Sequence, residues 1–70
     1  MIFFTKHAEK RMRERRVMQS TVLHIFEKPD KIEEGENGIL LYFGKVGNRK
    51  IKIVTAQRHN RLVVITLYPV

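Results

Sequence analysis

His7, Arg11 and Arg15 combine one side chain that exchanges a proton near neutral pH with two that keep their charge. They stand at i, i+4 and i+8, so on a helix they form a single line. At the helical period, Arg11 and Arg15 fall within or beside the apolar stripe of Phe4, Ala8 and Met12, and His7 falls on its flank. A guanidinium at the border of a core needs an acceptor: a carboxylate, backbone carbonyls or a bound anion. Two readings follow. In the first, Arg15 pairs with an acid such as Glu33 or Glu34, or caps carbonyls, and His7 is a hydrogen-bonded border histidine. In the second, the line forms part of an anion site. Lys6, Lys10 and Arg13 fall on the opposite side of the same helix and are expected in solvent.

The far end of the chain adds two hydroxyls. Strict alternation along "LVVITLY" places Leu62, Val64, Thr66 and Tyr68 on one face, with Val63, Ile65 and Leu67 on the other. Lys50 and Lys52 share one face of the preceding strand, and Arg58, His59 and Arg61 cluster in the last turn. Each of these groups could equally be solvated surface.

The elements that must position these residues can be read from punctuation and period. Thr5 is a suitable N-cap for a helix running to about Arg16, supported by a Glu9–Arg13 pair and a weaker, reversed Lys10–Glu14 pair. A second helix is expected from around Met18–Ser20 to just before Pro29, with Met18, Val22, Ile25 and Phe26 on its apolar face. Beyond Pro29 the period becomes two. A short edge strand precedes "ILLYFGKV" and "RKIKIVTAQ", which flank Gly47-Asn48, a dipeptide suited to a tight hairpin. "RLVVITLYPV", the most apolar strand, is expected to be central and to end at Pro69. The expected architecture is a single α+β domain over residues 1–70, with two N-terminal helices on one face of a three- to four-stranded antiparallel meander.

Composition limits what such a domain can be. Seventy residues leave room for one core, of modest stability unless a partner chain or a dimer reinforces it. With no cysteine, neither a disulfide nor a thiolate metal site is available, and no metal or cofactor is expected. No apolar run approaches the roughly 20 residues of a bilayer span, and "MIFFTKH" lacks the charged start of a signal peptide, so a cytoplasmic protein without membrane contact is expected. The net charge is +7, distributed as +4 over residues 1–29, −2 over residues 30–47 and +5 over residues 48–70. If the two ends meet, they form a cationic surface suited to a polyanion or an acidic protein.

The phrase "FTKHAEKRMRERRV" resembles the opening of the family called domain of unknown function 4258, whose members begin like F-T-x-H-A-x-x-R-M-x-x-R-G-I and end in a strand like V-V-T-V-Y. The shared positions are Phe4, Thr5, His7, Ala8, Arg11, Met12, Arg15 and Val17, with "VVITLY" at the far end. Arg16 stands where the family has glycine, and Met18 where members often have a serine N-cap. The family is similar to the RelE-, ParE- and BrnT-like toxins, in a wider group of metal-independent ribonucleases that includes barnase and the colicin tRNases. The resemblance implies a RelE-like fold and a toxin-like ribonuclease, cleaving RNA through attack of the ribose 2′-OH and paired with an antitoxin. It implies His7 as general base or acid, Arg11 and Arg15 on the phosphate, and Thr66 or Tyr68 orienting or donating a proton. Lys50, Lys52, Arg58 and Arg61 would then follow an RNA backbone, free or ribosome-associated. The alternatives are a nucleic-acid-binding module without catalysis, and a basic protein that docks an acidic partner.

Overall fold

Pro29 divides the chain: before it apolar residues recur at helical spacing, and after it at every second position. A computed structural model describes residues 2–70 and follows that division. The elements are β1 (Ile2–Phe4), α1 (Lys6–Arg15), α2 (Gln19–Glu27), β2 (Lys31–Glu34), β3 (Ile39–Val46), β4 (Arg49–Arg58) and β5 (Arg61–Pro69). Strands β2 to β5 form the expected antiparallel meander, and β5 is interior to the sheet. The sheet nevertheless has five strands, in the order β1-β5-β4-β3-β2, and is mixed, because β1 pairs parallel with β5. Ile2–Phe4 is too short to carry a readable alternation, and its pairing depends wholly on β5.

The turns follow their residues. Gly47 has φ 62° at the first position of the two-residue β3–β4 turn, the arrangement that needs a glycine. His59 and Asn60 have φ 47° and 64° in the β4–β5 turn, a pair of left-handed residues matching the twist of the strands.

Both helices pack on one side of the sheet. Ala8 and Met12 of α1, Val17 of the corner, and Val22 and Ile25 of α2 close over Ile51, Ile53, Val64 and Leu67. Gly44 lies directly under α2: a Cβ there would stand 2.7 Å from Ile25 Cγ1. The opposite side of the sheet carries no helix.

β5 contains an irregularity that moves its side chains. Val54 pairs with Thr66 but Thr55 pairs with Val64, so Ile65 is an extra residue without an opposite partner. Its carbonyl accepts the Thr5 hydroxyl at 2.8 Å, while the Thr5 oxygen caps α1 by accepting from the Ala8 N–H at 3.0 Å. The bulge corrects the strict alternation expected for β5. Val64 and Leu67 both face the helices and are fully buried. Thr66 and Tyr68 therefore face the open side, away from Leu62 and Val64.

Candidate nucleic-acid interface

On β4, Ile51, Ile53 and Thr55 point to the helices, so Lys50, Lys52, Val54 and Arg58 point to the open side. Cross-strand register extends that face over the whole sheet. Lys31 stands opposite Phe43, Phe43 opposite Lys52, and Lys52 opposite Tyr68. One row across four strands thus reads cation, ring, cation, ring. The Lys52 ammonium lies 5.8 Å from the Phe43 ring centre and 5.6 Å from that of Tyr68, and the Lys31 ammonium lies 5.2 Å from Phe43. These are cation–π distances. At the other margin the Arg61 guanidinium lies 5.9 Å from the ring of Phe3, which is 50% exposed. The only carboxylate among the described side chains of this face is Glu33, held by Lys31 at 3.0 Å. Lys45, Lys50, Lys52 and Arg61 carry charge with no acid bound to them among the described residues.

The arrangement can bind a chain that alternates flat rings with negative charge. Phe43 and Tyr68 are two strands apart, about 10 Å, which leaves room for one ammonium between two stacked rings. Tyr68 is exposed and Phe43 half-buried; aromatic rings on an open sheet face accept bases irrespective of sequence, and lysines between them neutralise phosphates. The face thus unites six residues singled out in the sequence, Lys50, Lys52, Arg58, Arg61, Thr66 and Tyr68. Arg58 is partly committed to structure, since its Nη1 donates to the carbonyls of Asn37 and Gln57 at 2.9 and 2.8 Å.

His7, Arg11 and Arg15 lie elsewhere. β1 ends opposite Val64, and beyond it α1 runs beside β5, from Thr5 at Ile65 to Arg15, whose carbonyl accepts from Arg49 Nη1 at 2.7 Å. The three residues are on this helix, on the covered side of the sheet, while Thr66 and Tyr68 are on the open side of the same strand. No hydrogen bond or ion pair joins the two groups among the described residues. His7 and Arg15 are exposed. Arg11 is half-buried and donates to Glu14 Oε1 at 2.9 Å, taking the acid expected to pair with Lys10. The border position expected for Arg15 is not adopted: only Ala8 and Met12 of α1 are buried, so the stripe is too narrow to draw its neighbours in. Glu33 is bound to Lys31 instead of an arginine.

Sequence reasoning passed over Phe43, Lys31 and Phe3. The signal for Phe43 was present, because a two-residue turn at Gly47-Asn48 fixes Phe43 opposite Lys52. A hollow of about 440 Å³ at the α1–α2 corner, lined in part by Glu9, Arg13, Arg16 and Met18, holds none of the candidate catalytic or RNA-binding residues. Among the described residues no cluster of three His, Cys, Asp or Glu side chains is placed to hold a metal, and no helix is long and apolar enough to cross a membrane.

A family model described as a domain of unknown function, DUF4258, matches residues 4–69. No curated protein and no solved structure matches the chain.

Proposed function

We propose that this chain, which belongs to the DUF4258 family, binds single-stranded RNA across the open face of its sheet and cleaves it as a toxin-like, metal-independent ribonuclease. The observation that carries the RNA reading is the row Lys31–Phe43–Lys52–Tyr68, in which rings and ammonium groups alternate across four strands. The likeness of the family to RelE- and BrnT-like toxins supports the cleavage reading and, with it, a cognate antitoxin.

In that reaction a base removes the ribose 2′ proton and the 2′ oxygen attacks phosphorus. The 5′ oxygen then leaves with a proton from an acid, giving a 2′,3′-cyclic phosphate and a 5′-hydroxyl end. Lys50 and Lys52 stabilise the charge that builds on the phosphate oxygens. The Tyr68 phenol is the proton donor on the open face. His7, on the same helix as Arg11 and Arg15, is the base that the family likeness supplies, and it and Tyr68 must reach one phosphate across the edge of β5 that β1 leaves uncovered. The row itself holds no imidazole, which favours a second reading, RNA binding without cleavage.

One experiment separates them: incubation of an unstructured RNA with the protein in the presence of a chelator, with the products analysed for cyclic phosphate. Cleavage by the wild type that falls at least about a hundredfold in both His7→Ala and Tyr68→Phe supports the ribonuclease. Intact RNA retained by the wild type and released by Lys52→Ala supports binding alone. Intact RNA that is not bound at all ends both readings.

A further inference from the structure

β2 is an edge strand, and all four of its residues, Lys31 to Glu34, are exposed. The Gly35 N–H donates to the Ile39 carbonyl at 2.8 Å, and the pairs Glu33–Leu41 and Lys31–Phe43 follow at two-residue steps. In an antiparallel ladder that places the backbone groups of Lys31, Glu33 and Gly35 toward β3 and turns those of Ile32 and Glu34 outward. The Ile32 side chain lies on the helix side of the sheet, opposite Tyr42, and is 49% exposed.

We infer that this edge pairs antiparallel with the same edge of a second copy of the chain, across a two-fold axis through Ile32. An axis perpendicular to the sheet keeps each face on its own side, so only residues of like face can stand opposite one another. Centred on Ile32, the register sets Ile32 against Ile32 of the second copy, and their outward N–H and C=O groups exchange two hydrogen bonds. The same register sets Lys31 against Glu33 of the second copy, twice, on the open face. Centred on Glu33, it would oppose two carboxylates and bring together backbone groups already committed to β3. Asp30, whose N–H is already given to the Phe43 carbonyl at 2.8 Å, meets Glu34 of the second copy, also twice, and these like-charge pairs on the helix side end the ladder after three residues.

Charge selects this edge over the rest of the surface. The whole chain carries +7, so two copies repel, but residues 30–47 carry −2 and are where approach costs least. An edge guarded by one sign of charge repels its own copy, whereas Lys31 and Glu33 are of opposite sign and match in this register. The two five-stranded sheets become one of ten strands, with both open faces on the same side. The pairing does not depend on the proposed ribonuclease.

Sedimentation equilibrium from about 1 µM to about 1 mM protein tests it, with circular dichroism to confirm folding. The wild type is expected to pass from monomer to dimer. Lys31→Glu and Glu33→Lys each oppose like charges and are expected to raise the dissociation constant about tenfold, and the combined K31E/E33K to restore it. Ile32→Pro removes the outward N–H and is expected to leave a folded monomer. A wild type that stays monomeric throughout, a dimer indifferent to all three single substitutions, or a charge swap that does not restore pairing overturns the inference.

Discussion

Two basic surfaces lie on opposite sides of this sheet, and they are basic in different ways. On α1 the cations are spread around a narrow apolar stripe and interleaved with Glu9 and Glu14, one of which already holds Arg11. On the open face, pairing stacks every second residue of four strands into one plane, so Lys31, Lys52 and their two rings become a single row. A helix disperses charge by its own period, whereas a sheet collects charge from segments far apart in the chain. Local density in the sequence, highest at residues 5–16, is therefore a poor guide to where a polyanion meets the most concentrated surface.

The largest effect separates the two sides of a single strand. Ile53 is fully buried beneath the helices, and Ile53→Ala is expected to cost about 2–5 kcal/mol, enough to unfold much of a domain this small. Val54, its neighbour on the open face, is half-buried, and Val54→Ala should cost under about 1 kcal/mol in the same urea titration. Equal losses would show that the open face is packed against something and is not free to bind.

Next comes the ring at the centre of the row. Phe43→Leu keeps apolar bulk and removes the stacking surface, and is expected to weaken binding of an unstructured RNA by about 1–3 kcal/mol, read by fluorescence anisotropy. Lys52→Ala should lower the slope of log affinity against log salt by about 1, while Lys10→Ala, on the outer side of α1, should change affinity less than about twofold. If Lys10→Ala proves as damaging as Lys52→Ala, the helix is the RNA surface and the row is not.

The limits of the sequence can be placed at particular residues. Thr5, Pro29 and Gly47 act through their own geometry, and the start of α1, the end of α2 and the β3–β4 turn were legible from them. The side on which Thr66 and Tyr68 emerge was not. Counting outward from the His59-Asn60 turn sets Lys52 opposite Leu67, and the bulge at Ile65 replaces Leu67 with Tyr68. That bulge is held by Thr5, 60 positions earlier in the chain, so no local pattern could announce it. β1 escaped for a related reason: three residues become a strand only because β5 lies beside them. The alternation of Lys52 with Ile51 and Ile53, by contrast, survives intact, and the open-face position of Lys50 and Lys52 could be read directly.

The smallest effect concerns the corner where α1 ends. Arg16 has φ 57° and ψ 48°, a left-handed conformation that crowds an L side chain. The corner is otherwise well made. The Arg16 N–H donates to the Arg13 carbonyl at 3.3 Å and the Val17 N–H to that of Met12 at 2.9 Å, while Val17 and Met12 are buried together. That is the capping arrangement in which glycine is favoured at the left-handed position. Arg16→Gly is expected to raise stability by about 0.5–1 kcal/mol, a rise in Tm of about 2–8 °C by calorimetry. Arg16→Asn, which tolerates the same conformation less freely than glycine, should fall between. Because the substitution removes a cation from the helix side, it also bears on the two surfaces: RNA affinity should be unchanged even as Tm rises. A loss of affinity comparable to that of Lys52→Ala would place the RNA at the helix corner, and an unchanged Tm would mean that the Arg16 side chain compensates the strain of its backbone.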